Sequence, residues 1–376
     1  MSSLDKLRVG IIGPGGAGRG RTREFARRPD VEVVAAADVS EAVLDRLESF
    51  LAEQVEGFKP GSIKRYVGEY EFIEMINKED LDIVGVFSPH SLHDIHAKYA
   101  LRNDIHVIVE KPMANMVGDA ILMAKIADGH DRHLVIHYQR HYSPFYVTAR
   151  KIYRDGMIGE LRKFEVYLAQ RWGGGGWRGD PRFSGGGQPN DSGSHLQDIF
   201  LWITGLLPKT VTGYTSNIFE QDGRKIERPI EIDAVVDVEM ENGATGTITI
   251  LGNTKVGFQE WVVLEGDEGK IEIKSGKLTL TPRSGEPKEV TPEKPEGYPH
   301  SNIDNLIGLI KGQYQINYTS AINGIRTSWL TNSILQTGKG PRDRKSVDCD
   351  EVLRKEGFST QFVREMIADW EEKGRL

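Results

Sequence analysis

The sequence predicts an α/β protein in two parts: a doubly wound parallel sheet first, then an α+β part built on a large, mostly antiparallel sheet. Three observations carry this expectation. Over the first 140 residues short β-branched runs alternate with helical patterns, the mark of parallel strands joined by crossover helices. A glycine-rich turn, Gly13-Pro14-Gly15-Gly16-Ala17-Gly18, stands where the first strand gives way to the first helix. Beyond about residue 145 strands follow one another with few helices between them, and turns such as Asn242-Gly243 and Ser275-Gly276 favour hairpins. The 376 residues suit two domains, divided here as 1–140 and 141–376.

In the first part Leu7–Ile12 reads as a strand, Ala17–Arg28 as a helix and Val31–Ala37 as the second strand. Glu41–Gln54 follows as an amphipathic helix with Val43, Leu44, Leu47 and Leu51 on one face. Asp82–Ser88, Ile105–Glu110 and Leu134–Tyr138 are further strands, with helices at His93–Arg102 and Met116–Ala127. In the second part a helix at Pro144–Arg154 precedes strands at Leu161–Gln170, Thr210–Phe219, Ala234–Glu239, Ala244–Leu251 and Gln259–Glu265. The Pro-rich, charged stretch 282–299 reads as a loop, and helices return at Asn302–Lys311, Ala321–Thr337 and Glu351–Glu372.

Composition narrows the function. A net charge of −7, from 55 acidic and 48 basic residues, argues against a dedicated nucleic-acid binder. A single cysteine, Cys349, excludes an intramolecular disulfide framework and cysteine-rich metal sites, and a reducing cytoplasm is the expected compartment. No run of 18 apolar residues suits a membrane span, and MSSLDKLRVG does not resemble a signal peptide. His90, His93 and His96 recur at i, i+3 and i+6, but no carboxylate spacing completes a set of metal ligands, so no metal is expected.

Gly13, Gly15, Gly16, Ala17 and Gly18 fit G-x-G-x-x-G, which allows a tight turn and close approach of a pyrophosphate to a helix N-terminus. Asp38 falls at the end of the second strand, where a carboxylate accepts hydrogen bonds from an adenosine ribose and repels a 2′-phosphate. NAD is therefore expected, with NADP the alternative if Arg19 or Arg21 lies near the ribose. Glu110-Lys111-Pro112 follows an apolar strand, and the carboxyl ends of such strands face the ligand crevice. Lys111 would then point toward the nicotinamide; the other reading is a surface lysine in a turn. Asp191-Ser192-Gly193-Ser194-His195 puts an acid and an imidazole four residues apart, on one face if a helix starts near Asp191. The plainer reading makes Asp191 an N-cap and His195 an ordinary, partly buried histidine.

Taken together, these motifs resemble the glucose–fructose oxidoreductase/inositol dehydrogenase/rhizopine catabolism (Gfo/Idh/MocA) family over nearly the whole chain. Ser88-Pro89-His90-Ser91-Leu92-His93 resembles the family's Thr-Pro-Asn-x-x-His segment, departing at Ser88 and His90. His137-Tyr138-Gln139-Arg140 with Pro144, and Ile158-Gly159-Glu160-Leu161, resemble the passage into the second domain. The resemblance implies cofactor contacts from Ser88, His90, His93, Glu110, Lys111, Gln139, Trp177, Arg178 and Tyr298. It also implies that Lys111, Asp191 and His195 converge beside the nicotinamide.

The implied reaction is hydride transfer between the nicotinamide and a carbinol carbon, coupled to movement of the hydroxyl proton. His195 is the first choice of general base because an imidazole ordinarily titrates near 6.5; Asp191 would orient the pair and Lys111 would stabilise alkoxide charge. The alternative gives the base role to Lys111. Arg171, Trp172, Trp177, Arg178 and Arg182 crowd the glycine-rich stretch before Asp191 and suit the faces of a sugar, or else merely anchor and solvate the loop. Gly173–Gly176 and Gly185–Gly187 suggest a loop mobile enough to close over a ligand.

The expected function is NAD-dependent oxidation of a sugar, glycoside or cyclitol hydroxyl. A glycosidase that oxidises its substrate transiently and recycles NAD is one rival, and a non-catalytic sugar sensor is another. Reduction of imines or biliverdin-like compounds is a third, for which the Asp-x-x-x-His pair would be unexpected. Apolar residues in Val235–Val238, Thr247–Ile250 and Trp261–Leu264 suggest strands buried on both sides, hence a homodimer or homotetramer packed through the second sheet.

Overall fold

The computed structural model describes residues 6–373, so the first five residues of the amino-terminal stretch lie outside it. Strands β1 (Leu7–Ile12), β2 (Val31–Asp38), β3 (Lys64–Val67), β4 (Ile83–Val86), β5 (His106–Val109) and β6 (Leu134–Ile136) form a parallel sheet in the order β3-β2-β1-β4-β5-β6. Helices α1 (Gly16–Ala26), α2 (Glu41–Gln54), α3 (Glu71–Lys78), α4 (His93–Arg102) and α5 (Val117–Gly129) make the crossovers. The order reverses between β1 and β4, and a crevice at the strands' carboxyl ends opens at such a switch point. The middle of the sheet is apolar, as burial on both faces requires: all four residues of β4 are buried, as is β1 from Val9 onward. The exposed, charged β3 and the short α3 carry no such pattern and were not foreseen.

The chain then forms α6 (Pro144–Arg154), β7 (Leu161–Ala169), two one-turn helices α7 (Pro181–Ser184) and α8 (Gly187–Asn190), and α9 (Gly193–Thr204). Strands β8 (Pro208–Ser216), β9 (Ile218–Gln221), β10 (Arg224–Glu227), β11 (Asp233–Met240), β12 (Thr245–Leu251), β13 (Gln259–Gly266), β14 (Gly269–Lys274), β15 (Lys277–Pro282) and β16 (Lys288–Glu289) follow. The last elements are α10 (Asn302–Ile310), α11 (Ala321–Leu335), β17 (Lys345–Asp348), α12 (Cys349–Lys355) and α13 (Thr360–Glu372). The expected helix Glu351–Glu372 is thus two helices, because Ser359 turns its hydroxyl to the Phe362 N–H and caps a new one. The expected strand Thr210–Phe219 also divides, its end pairing with β10 in a separate hairpin.

The second sheet has nine strands in the order β16-β15-β14-β13-β7-β12-β11-β8-β17, antiparallel except where β7 meets β12. Its side chains alternate. Val166, Leu168, Val236, Val238, Ile248, Ile250, Val262 and Leu264 are buried on the face that the helices cover. Thr247, Asp237 and Glu265 point the other way and are exposed. Burial on both sides is therefore not found within one chain. The open face mixes polar residues with half-buried Tyr214, Val235 and Val263 and with Tyr167 and Trp261, whose cross-strand rings stack 3.8 Å apart, with Lys274 4.1 Å above Trp261.

Helix α10 comes late in the chain but packs on the first sheet. Ile303, Leu306 and Ile307 share a core with Val9, Ile11, Phe25 and Val33. Arg28 pairs with Asp304 at 3.0 Å, and Asn302 donates to the Ile136 carbonyl.

Candidate active site

The glycine turn is shaped from below by the protein and left open above. Gly13 has φ +77°, and a Cβ there would lie 2.7 Å from the Ser88 backbone; one on Gly18 would lie 2.4 Å from the Gly13 carbonyl. Gly16, by contrast, has nothing within 4 Å of where a Cβ would be, and a Cβ on Gly15 would meet only Val43 at 3.7 Å. Gly16 and Ala17 are exposed at the start of α1, which has no acidic residue in its first turn and no side-chain cap. Free N–H groups beside open space suit a pyrophosphate. Asp38 ends β2; one carboxylate oxygen accepts from the Ser40 N–H at 2.9 Å and burial raises its pKa. Neither Arg19 nor Arg21 pairs with it: Arg19 lies 5.0 Å over Phe50, and Arg21 donates to Glu110 and Glu24. These residues fit a dinucleotide with an unphosphorylated ribose.

The loop after β5 is fixed from several sides. Glu110 is buried among Arg21, His137 and the Lys111 N–H; burial opposes its charge, but the neighbouring His137, Arg21 and Lys111 outweigh it and lower its pKa. His93, read as a cofactor contact, is fully buried and places its ring nitrogens 2.8 Å from the carbonyls of Pro112 and Ser88. It ties the ends of β4 and β5 together. Ser88, also buried, pairs its hydroxyl with His96.

Lys111 reaches across 80 residues of chain to Asp191, donating to its carboxylate at 2.8 Å and to its backbone carbonyl at 3.0 Å. The other Asp191 oxygen accepts from Trp172 Nε1 at 3.1 Å and Arg178 Nε at 3.0 Å. His90, whose Nδ1 pairs with the Ser184 carbonyl, brings Nε2 to 3.7 Å from Asp191. Burial disfavours the Asp191 charge, but Lys111, His90 and Arg178 prevail and hold its carboxyl well below the usual range. Burial likewise pushes His90 down to about 3. Trp177 stands edge-on to His90 at 4.7 Å, and the Arg178 guanidinium covers the Trp177 ring at 4.4 Å.

Asp191 is not on the helix that carries His195. It closes α8, with ψ at −83°, while α9 begins at Gly193. The acid and the imidazole therefore do not share a helix face. His195 is half-buried, and its Nδ1 has no hydrogen-bond partner. Burial first, then the positive charges of Lys111 and Arg140, keep its pKa well below the ordinary 6.5, so a base titrating near neutrality is not what this environment makes. Arg140 is the contributor that sequence reasoning passed over. It is held by Glu260 at 2.6 Å, a partner 120 residues away that no local signal announces.

Other expected residues lie elsewhere. Arg171 turns to the Glu220 carbonyl and the face of Phe219, away from Asp191. Arg182 pairs with Asp180. Gln139 is exposed at the start of a short 3-10 turn. Tyr298 donates to the His141 carbonyl and sets its ring at a tilt 4.2 Å from that of Tyr318, lining a different cavity. Among the described residues no cluster of three or more metal-ligating side chains occurs, and no helix is long and apolar enough to cross a membrane.

A switch-point crevice with an open glycine turn, a carboxylate at the end of β2 and a lysine–aspartate pair suits a dinucleotide-dependent oxidoreductase. The family model described as "Oxidoreductase family, NAD-binding Rossmann fold" matches residues 7–138, and that of the "GFO/IDH/MocA C-terminal domain" matches residues 146–272. The chain belongs to the Gfo/Idh/MocA family, and its first part is an NAD-binding Rossmann domain. A glycosyl hydrolase family 109 protein of Shewanella woodyi is 31% identical over 45% of this chain but only 36% of its own length, so the chain matches about a third of that relative. Among solved structures, an inositol dehydrogenase homolog of Azotobacter vinelandii complexed with NAD+ superposes with a TM-score of 0.73 at 17% identity, covering 92% of this chain and 98% of that one. Levoglucosan dehydrogenase in complex with NADH and levoglucosan gives 0.75 at 17% identity, covering 92% and 100%.

Proposed function

We propose that this protein oxidises a secondary hydroxyl of a sugar, glycoside or cyclitol with NAD, residues 1–140 holding the dinucleotide and 141–376 the substrate. The observation that carries this reading is the Lys111–Asp191 pair, set beside a neutral, half-buried His195. Bound in the crevice, the nicotinamide would take the hydride from the carbinol carbon. Asp191 anchors Lys111, leaving an ammonium N–H free to bind the substrate oxygen and stabilise alkoxide character as it develops. His195, held neutral, would accept the hydroxyl proton, as a weaker base than a free imidazole because burial and the neighbouring cations lower its pKa. Trp172 and Arg178, both on Asp191, present an aromatic face and a guanidinium edge to the same space.

The test is a panel of free sugars, polyols and aryl glycosides incubated with NAD, following reduced cofactor and free aglycone separately. NADH formed from a free sugar or polyol supports the dehydrogenase. Aglycone released without net NADH supports a glycosidase that recycles its cofactor, the second reading, which the Shewanella relative favours. Tight sugar binding with neither product supports a sensor. The open face of the nine-stranded sheet, with its Tyr167–Trp261 stack, supports assembly into a homodimer or homotetramer. Sedimentation at several concentrations tests that, a fixed monomer overturning it.

A further inference from the structure

A second cavity, of about 240 Å³, lies behind α9 and has no residue in common with the Lys111–Asp191 corner. Its walls come from α6, α9 and α11, from Tyr298 and Tyr318, and at the rim from Glu371 of α13. Three guanidinium groups line it: Arg150, Arg154 and Arg326. Such groups ordinarily find carboxylates when withdrawn from water, because a buried unpaired charge is costly.

Arg326 is buried and Arg150 half-buried, both poorly partnered, whereas Arg154 is exposed to water. Arg150 donates to the Trp202 carbonyl at 2.6 Å and lies 4.4 Å over the Trp202 ring, contacts that hold it without neutralising it. Arg326 is only 9% exposed, and its Nε is buried with no hydrogen-bond partner. Neither it nor Arg154 forms an ion pair among the described residues. Lys151, also on the wall, is taken up by Asp155. Of the acids that face Arg326, Glu371 is exposed at the rim and Glu241 is committed to Arg364. Burial first, then Arg154 and the other neighbouring cations, push both Arg150 and Arg326 down to about 10, against the opposing charges of Asp198 near Arg150 and of Glu371 and Glu241 near Arg326.

We propose that this cavity binds a small oxyanion, a phosphate or carboxylate group, at a site separate from the catalytic corner. Guanidinium forks match such anions bidentately, and Tyr298, Tyr318, Asn317 and Asn323 supply neutral polar groups around them. The volume suits inorganic phosphate or a compact polycarboxylate and is too small for a dinucleotide. The ligand would relieve the repulsion between Arg154 and its two neighbours. Helix α9 carries His195 at one end and Trp202 at the other, so the site abuts the same helix as the reacting groups.

The experiment is calorimetric titration of the full-length, NAD-saturated protein in an anion-poor buffer, with inorganic phosphate in one arm and citrate in the other. Saturating NAD occupies the glycine turn, which otherwise takes up phosphate itself. One ion bound per chain is expected, weakened about tenfold or more by Arg154→Ala and by Arg326→Gln. The surface substitution Arg224→Ala, on the distant β9–β10 hairpin, should leave it unchanged. Because Arg154 is exposed, its variant keeps the test decisive if Arg326→Gln does not fold. Saturation by phosphate alone assigns the site to phosphates, and saturation by citrate alone assigns it to carboxylates. No saturable uptake of either below about 10 mM, or affinity equal in wild type and Arg154→Ala, overturns the proposal.

Discussion

Two glycine clusters, one in each half of the chain, look alike in sequence and serve different ends. In the first, Gly13 and Gly18 make room for the protein's own backbone, but Gly16 borders open space that a ligand can fill. In the second, Gly175 and Gly176 also face open space, but opposite Gly174, Gly179 and Gly185–Gly187 the space belongs to the protein. A Cβ on Gly187 would lie 2.0 Å from the Glu231 carbonyl, and one on Gly179 would lie 2.2 Å from that of Gly174. The stretch between β7 and α9 is not the slack, closing loop its composition suggested. It is folded into short helices and pinned at Asp191 by Trp172 and Arg178. Glycine content alone does not separate a ligand cradle from a tightly packed connection; what lies opposite each missing Cβ does.

The largest effect should come from the group in the crevice that both halves hold. Lys111→Ala is expected to cut turnover about a thousandfold while NAD affinity, read by fluorescence titration, changes only a few fold. Equal losses in both would mean that Lys111 serves cofactor binding instead. The glycine contrast is broken or sharpened by a pair of substitutions. Gly187→Ala, at φ +60° and against backbone, should cost about 2–4 kcal/mol in urea unfolding and leave the NAD affinity of the folded fraction near normal. Gly16→Ala should do the reverse, weakening NAD about tenfold with at most about 1 kcal/mol of destabilisation. Matching stability losses in the two variants would erase the distinction.

The pH response should be graded. Burial is the leading cause that lowers His90 and His96 to about 3 and His106 to about 4, and that also lowers His93, His137 and His195. The unfolded chain takes up these protons near its ordinary 6.5 and the folded chain refuses them. Stability is therefore complete above about pH 6.5 and declines as pH falls toward about 4. Urea midpoints at about pH 7.5, 6 and 5 measure the slope, and a flat series would show the histidines to be solvated. For the same reason kcat/KM should show no inflection near 6.5 from His195. Smallest of all, Asp38→Ser should weaken NAD several fold and narrow its advantage over NADP; an unchanged ratio would place ribose recognition elsewhere.

The first half of the chain was the more legible because its signals are local. A strand, a glycine turn, a helix and an acidic strand end sit within the first 38 residues, and helix Glu41–Gln54 was read to its exact ends from the spacing of its leucines. Lys111 was readable from the strand before it. The second half turns on contacts distant in sequence. Nothing near Arg171 tells that it will seek the Glu220 carbonyl, nor near Arg140 that Glu260 will hold it. The spacing of Asp191 and His195 suggested one helix, but the chain finishes α8 first, so the two groups arrive from separate elements. Strands β3, β10, β16 and β17 escaped because strands with mostly exposed side chains show no apolar run, β16 lying in the stretch read as a loop; β14 and β15 escaped although Ile271, Ile273 and Leu278 alternate with polar residues.

The packing of α10 bears on any attempt to graft this NAD-binding half onto another protein. A fragment ending near residue 140 would lack Ile303, Leu306 and Ile307, and would present Val9, Ile11 and Phe25 with an uncovered apolar surface. It would also lose the Arg28–Asp304 tether. A chimera that keeps this half in working order has to import the distant helical segment with it, so the natural unit of exchange is discontinuous in the gene.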